Sequence, residues 1–181
     1  MSGHNKWSQI KHKKGATDAK KSLTFGKILA AISVAAKTGG ANPDQNPHLR
    51  SLIEKAKENN VPNENIERAL KRASESRDLQ EFLFEAYGPE GAAILVEAIT
   101  DNPNRLIQEL RIIAGDIGAK PADPGSVLWA FTKQNYETGW VAKFPQPISD
   151  AGQEKLHRIV EAFNGHDDVQ RVIANVANQT I

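Results

Sequence analysis

Residues 78–103 read DLQEFLFEAYGPEGAAILVEAITDNP, and within them the periodicity of the chain changes from helical to extended. Phe82, Phe84 and Ala86 alternate with Leu83 and Glu85, and Gly88-Pro89-Glu90-Gly91 supplies a turn. Ala93 to Thr100 (AILVEAIT) forms a second β-rich run, which predicts a hairpin with a four-residue loop. Asp101-Asn102-Pro103 then offers a cap and a proline at the first helical position, where a missing N–H costs nothing. Leu106, Ile107, Leu110, Ile113 and Ala114 line one side of the helix so opened, and Gly118 closes it. Farther on, Val127 to Phe131 and Trp140 to Phe144 are predicted strands, and Ser149-Asp150 starts a last helix carrying Leu156, Ile159, Val160 and Phe163. Gly165 ends that helix, and Val169 to Val176 makes the final strand. From Ala93 the order is β-α-β-β-α-β, a ferredoxin-like arrangement with one extra hairpin strand in front. Residues 78–181 are therefore expected to form an α+β domain.

On the N-terminal side the pattern is helical. Leu23, Ile28, Leu29, Ile32, Ala35 and Ala36 predict a helix over 22–37, stopped by Gly39-Gly40. Asn46-Pro47 opens a second, striped by Leu49, Leu52, Ile53 and Ala56 and ending near Asn59-Asn60. After Val61-Pro62, a third carries Ile66, Ala69, Leu70 and Ala73 through about Ser76. Three short helices with short links predict a small bundle. Ahead of it, residues 3–21 (GHNKWSQIKHKKGATDAKK) hold six lysines, two histidines and one carboxylate, Asp18. Their apolar residues, Trp7 and Ile10, are too sparse for a helix that packs a core, so this stretch reads as a basic arm. Arm and bundle together make a first domain over 1–77.

The near-neutral total charge conceals a division. Residues 1–77 carry 15 lysines and arginines against 7 acids, and residues 78–181 carry 8 against 15. The basic half is thus a candidate for a polyanion. A 39% apolar content supports a packed core. No apolar run approaches the roughly 18 residues of a membrane span, and lysines stand where a signal peptide would have its apolar block. With no cysteine there is no disulfide or thiolate site, which suits a reducing, cytoplasmic setting.

Catalytic motifs are missing from the sequence: there is no phosphate-binding G-x-x-x-x-G-K-[ST], dinucleotide G-x-G-x-x-G, H-E-x-x-H or G-x-S-x-G. His4 and His12 lack a cysteine or close carboxylate to complete a metal set. The most enzyme-like run is Thr100-Asp101-Asn102-Pro103-Asn104-Arg105 at a strand-to-helix junction. There Asn102, Asn104 and Arg105 could form a secondary anion site, or a plain capping turn with a solvated arginine. The expectation is a non-enzyme with no cofactor, no metal and no catalytic residue.

Clustered lysines neutralise phosphates and release counterions, giving salt-sensitive affinity without reading sequence. On that ground Lys6, Lys11, Lys13, Lys14, Lys20, Lys21 and Lys27 are the leading candidates for nucleic-acid contact. Arg50, Arg68, Lys71 and Arg72 extend the charge over the bundle, and Trp7 and His12 add rings able to stack on an unpaired base. The alternative for Trp7, that it packs the arm onto the bundle, is slightly favoured.

These residues also carry a resemblance. GHNKWSQIKHKKGATDAKKSLTFGKI, NPHLRSLIEKAKENNVPNENIERALKR and YGPEGAAILVEAITDNPNR resemble the YebC/PmpR family over most of residues 3–131, with a weaker likeness from Trp140 to Ala174. The resemblance implies a DNA-binding transcriptional regulator. Some members of the family instead act on translation, associating with the ribosome and helping it through difficult peptide bonds, as in proline-rich stretches. It further implies an N-terminal helical domain plus two α/β domains, one inserted into the other. Here only a short loop around Thr132 to Gly139 occupies the insertion point, so this chain resembles a short member without the third domain. The expected partner is DNA or ribosomal RNA, within or outside the ribosome, with no membrane and a monomer favoured. A protein-interaction adaptor is the opposing class.

Overall fold

The computed structural model describes residues 3–75, 79–135 and 139–177, with side chains described for these except 3–17, 74 and 75. The first element is one helix, α1 (Gly3–Gly39), followed by α2 (Pro47–Glu58) and α3 (Asn63–Glu75). The helix expected over 22–37 therefore begins nineteen residues earlier and absorbs the whole basic stretch. Lysine and alanine both favour helix, and the stretch holds no proline, so it can be helical without burying a stripe. Burial begins farther along α1, where Ile28, Ile32, Ala35 and Ala36 meet Leu49 and Ala56 of α2 and Ile66 and Ala69 of α3. The buried Ser33 hydroxyl donates to the Ala69 carbonyl and ties α1 to α3.

Asn46 organises the α1–α2 corner. Its Oδ1 accepts the Leu49 N–H as the α2 cap, and its Nδ2 donates to the carbonyls of Ala35 and Gly40, each at 2.9 Å. The side chain is buried, so replacement by alanine strands three backbone groups. Asn46→Ala is expected to cost about 2–3 kcal/mol, read as a lower denaturant midpoint. Asn46→Asp, which keeps the cap but cannot donate to the carbonyls, should fall between.

The second half holds β1 (Gln80–Tyr87), β2 (Ala93–Thr100), α4 (Pro103–Ile117), β3 (Lys120–Pro121), β4 (Phe131–Lys133), β5 (Trp140–Ala142), α5 (Asp150–Asn164) and β6 (Val169–Ala174). The expected mixed architecture, helices first and then an antiparallel sheet with helices, is what forms. Strand order in the main sheet is β3-β1-β2-β6, all antiparallel. The two middle strands of the predicted ferredoxin-like unit do not join it; β4 and β5 pair as a separate two-stranded ribbon. The hairpin strand β1 occupies the edge of β2 on which such a strand would have paired.

Local details also differ. Tyr87 pairs with Ala93, so five residues form the hairpin loop, with Glu90 at φ 56°. Residues 128–130 form a 3-10 turn where a strand was expected from Val127, and β4 starts only at Phe131. Asn102, Gly118 and Ser149 stand at the helix ends where the sequence places them, Gly118 with φ 75°.

One sheet face packs Phe84, Ile94, Val96 and Val172 against Leu106 and Leu110 of α4 and Leu156 and Phe163 of α5. The other packs Leu95 and Ile173 against Val127, Ala130 and Phe131. Because both faces are covered, β2 is buried along nearly its whole length. Glu85, which alternates with Phe84 and Ala86, is buried on the second face. It accepts N–H bonds from Gly125, Val127 and Leu128, which keeps that segment out of a strand ladder.

Candidate nucleic-acid interface

As one helix, α1 is about 55 Å long at 1.5 Å per residue. That geometry organises its lysines. Lys6, Lys13, Lys20 and Lys27 recur every seven residues, and Lys14 and Lys21 repeat the interval on a neighbouring row. Seven residues are nearly two turns, so each row advances about 10 Å per step along one side of the helix. The second row continues through Ile28 and Ala35, which are buried in the bundle. The same row is therefore buried and apolar at Ile28 and Ala35 and exposed and basic one step earlier at Lys21.

The side chains of Lys6, Trp7, Lys11, His12, Lys13 and Lys14 lie outside the described residues; their backbone belongs to α1. Lys20 and Lys21 are exposed on the continuing helix. Lys27 is engaged: its Nζ donates to the Asn164 carbonyl at 2.6 Å, at the end of α5. Burial pushes its pKa down, and the nearby Asp167 partly offsets this. Lys27 thus joins the bundle to the sheet half and is less available than the exposed Lys20 and Lys21.

On α2, Arg50 donates to the carbonyls of Pro43 and Asp44 and lies 3.8 Å from the Asp44 carboxylate. Arg68 on α3 pairs with Glu64 at 3.7 Å, and Lys71 and Arg72 are exposed beyond it. Exposed pairs of this kind contribute about 0.2–1 kcal/mol, too little to hold an arginine back from a phosphate.

The secondary anion site has a different character. Asn102 caps α4 by accepting the Arg105 N–H, and Asn104 is exposed in the first turn. The Arg105 guanidinium donates to Asp168 at 2.8 Å and to Asp101 at 3.1 Å. Two carboxylates already take the place an anion would need. The cluster joins the start of α4 to the turn before β6, where His166 Nε2 also lies 2.9 Å from Glu109. Among the described residues no three His, Asp or Glu side chains gather as metal ligands.

A feature that sequence reasoning missed lies between the bundle and the second sheet face. There α1 and α2 face β1, β2, the ribbon and β6 across a cleft of about 330 Å³. His48 borders it, and burial pushes the His48 pKa below 6.5; Glu81 opposes this shift and Lys133 reinforces it. A histidine harder to protonate in the folded state keeps its full contribution above about pH 6.5. That contribution is lost as pH falls from there through the lowered folded value, and levels off below it. The melting temperature is therefore expected to drop between neutral and mildly acidic pH more in the wild type than in His48→Gln. The cleft's residues run from Thr24 to Arg171, 147 positions apart, with no spacing that could reveal them.

A bundle that carries a long basic helix and docks on an α+β unit defines a two-part architecture. Residues 5–76 match the TACO1/YebC protein N-terminal domain, and residues 79–136 match the TACO1/YebC second and third domain. The chain belongs to the TACO1/YebC family. It is 50% identical over 139 residues to a "Probable transcriptional regulatory protein" of Desulfosudis oleivorans, covering 75% of this chain and 56% of that one. A protein of the same name from Fervidobacterium nodosum is 41% identical over 184 residues, covering all of this chain and 71% of that one. The chain thus spans little more than half the length of several curated relatives it matches. It is also similar to the crystal structure of a conserved hypothetical protein from Aquifex aeolicus. That match has a TM-score of 0.80 at 28% identity, covering 91% of this chain and 94% of that one. No helix among the described residues is long and apolar enough to cross a membrane.

Proposed function

We propose that this protein is a non-enzymatic regulator of gene expression that grips the phosphate backbone of DNA with the basic half of α1. The observation that carries the reading is the repetition of lysines every seven residues along one uninterrupted helix. An α-helix of about 10–12 Å diameter enters the major groove of B-form DNA, about 12 Å wide, whereas the deep, narrow major groove of A-form RNA does not admit it. The names of the curated relatives, probable transcriptional regulatory proteins, agree with a DNA target. Lys20 and Lys21 continue the grip, while Arg68, Lys71 and Arg72 add positive charge from α3.

The deciding experiment is crosslinking in cells, with sequencing of the recovered nucleic acid and sedimentation of the protein on a sucrose gradient. Promoter DNA without ribosomal co-sedimentation supports the proposal. Ribosomal RNA with ribosomal co-sedimentation would replace it with the translation reading, and recovery of neither would leave a protein adaptor.

A further inference from the structure

We infer that Lys27 is a latch holding the helical bundle against the sheet half, and that a backbone phosphate of bound DNA releases it and lets the two halves swing apart. What releases the latch rests on the nucleic-acid reading above; the latch itself does not.

The two halves share no apolar core. The bundle's cluster draws on residues 25–73 and the clusters of the sheet half on residues 82–176, and among the described residues no cluster takes side chains from both. Between them lies the cleft of about 330 Å³, with Ile28, Val34 and Leu52 on one wall and Ala98 and Ile99 on the other. Halves joined without a large apolar interface move relative to one another by default.

Lys27 reaches across this junction. Its Nζ donates to the carbonyl of Asn164, the last residue of α5. A cation suits that place, because the unpaired carbonyls of a helix C-terminus carry a partial negative charge. Asp167 adds a full negative charge nearby. About 15 Å farther along α1, the Lys37 Nζ lies 3.5 Å from the Leu79 carbonyl, one residue before β1. That contact, beside the point where the chain passes between the halves, serves as the pivot.

Three features let a phosphate open the latch. Burial disfavours the Lys27 ammonium, so it regains hydration on leaving Asn164. Lys27 is also the next member of the row formed by Lys6, Lys13 and Lys20, about 10 Å past Lys20. DNA lying along that row brings it a fully charged acceptor, which bonds lysine more strongly than a carbonyl does. The same DNA backbone meets the exposed Asp167 as a like charge and pushes the sheet half away.

The chain has no cysteine, so Glu58→Cys on α2 and Gln153→Cys on α5, both exposed, take two nitroxide labels whose separation pulsed electron spin resonance reads. The free protein should show a single distance. Lys27→Met keeps the stem but removes the charge and the donor, and should add a population longer by about 5 Å or more. Lys27→Arg should restore the single distance. Lys27 lies outside the bundle's buried cluster, so Lys27→Met should keep the wild-type helix content. A blunt DNA duplex added to the wild-type sequence at position 27 should produce the same longer population. Lys27→Met should also flatten the salt slope of duplex binding by about 0.9, a contact that a lysine still held by Asn164 could not supply. Wild-type distances in Lys27→Met overturn the latch. A duplex that binds without the longer population or the slope change overturns the release and leaves the phosphate grip of α1 standing. A duplex that does not bind overturns the nucleic-acid reading and the release together, while the Lys27→Met distances still decide the latch.

Discussion

Replacing Lys11, Lys13 and Lys14 together by glutamine is expected to weaken binding to a duplex of about 20 base pairs roughly 100-fold at about 0.1 M salt. Each phosphate neutralised by a lysine contributes about 0.9 to the slope of log affinity against log salt, so three lost contacts flatten the slope by nearly 3. The loss should be uniform across duplex sequences, because phosphate contacts carry no base information. The substitutions exchange one good helix former for another, so circular dichroism should report an unchanged helix content. Lys57→Gln and Lys143→Gln, at exposed lysines away from the rows on α1, serve as controls and should leave the slope as it is. A triple variant with the wild-type slope would sink the phosphate grip, whatever the crosslinking result.

Glu85→Ala is expected to be the most damaging single change in the sheet half. Glu85 is 4% exposed, and its carboxylate accepts three backbone N–H bonds, from Gly125, Val127 and Leu128. Removing it leaves three donors without this acceptor, the Val127 N–H in a fully buried position and those of Gly125 and Leu128 in partly buried ones. A cost of about 3–5 kcal/mol follows, a large share of the roughly 5–15 kcal/mol that holds a domain together. Urea unfolding should show the lowered midpoint, and amide exchange at Gly125, Val127 and Leu128 should accelerate beyond the general increase. Glu85→Gln keeps one acceptor oxygen and the shape, so its loss should be smaller. Equal midpoints for Glu85→Ala and wild type would show that these hydrogen bonds do not hold the segment.

How far each feature could be read in advance depended on how local its cause is. The starts of α2, α4 and α5 follow from Asn46-Pro47, Asn102-Pro103 and Ser149, whose side chains or rings act on the next few backbone groups. The hairpin and the overall mixed class were equally legible, because alternation and turn residues sit together in residues 80–100. Partnership between strands was not. Phe131–Lys133 and Trp140–Ala142 look like any short strands, and nothing within them tells whether they extend a sheet or pair with each other. The burial of Glu85 was not legible either, because period-two alternation separates the two faces of a strand without telling whether both are covered, as they are here. The length of α1 was hidden because residues 3–21 hold too few apolar residues to make a stripe that announces a helix. The cleft was beyond reach, since its walls come from separate parts of the chain.

The β4–β5 ribbon has a consequence for how such a chain can change in size. Lys133 stands directly across from Trp140, so the residues that leave the ribbon and those that return to it are neighbours. Whatever length of polypeptide joins two points already side by side, the closure entropy rises by only about 0.6 kcal/mol per doubling. A folded module grafted there would hang from two adjacent stems and exert no leverage on the sheet or the bundle. The ribbon is thus a natural grafting port, at which a reporter domain could be spliced in while the remainder of the molecule folds around the same core.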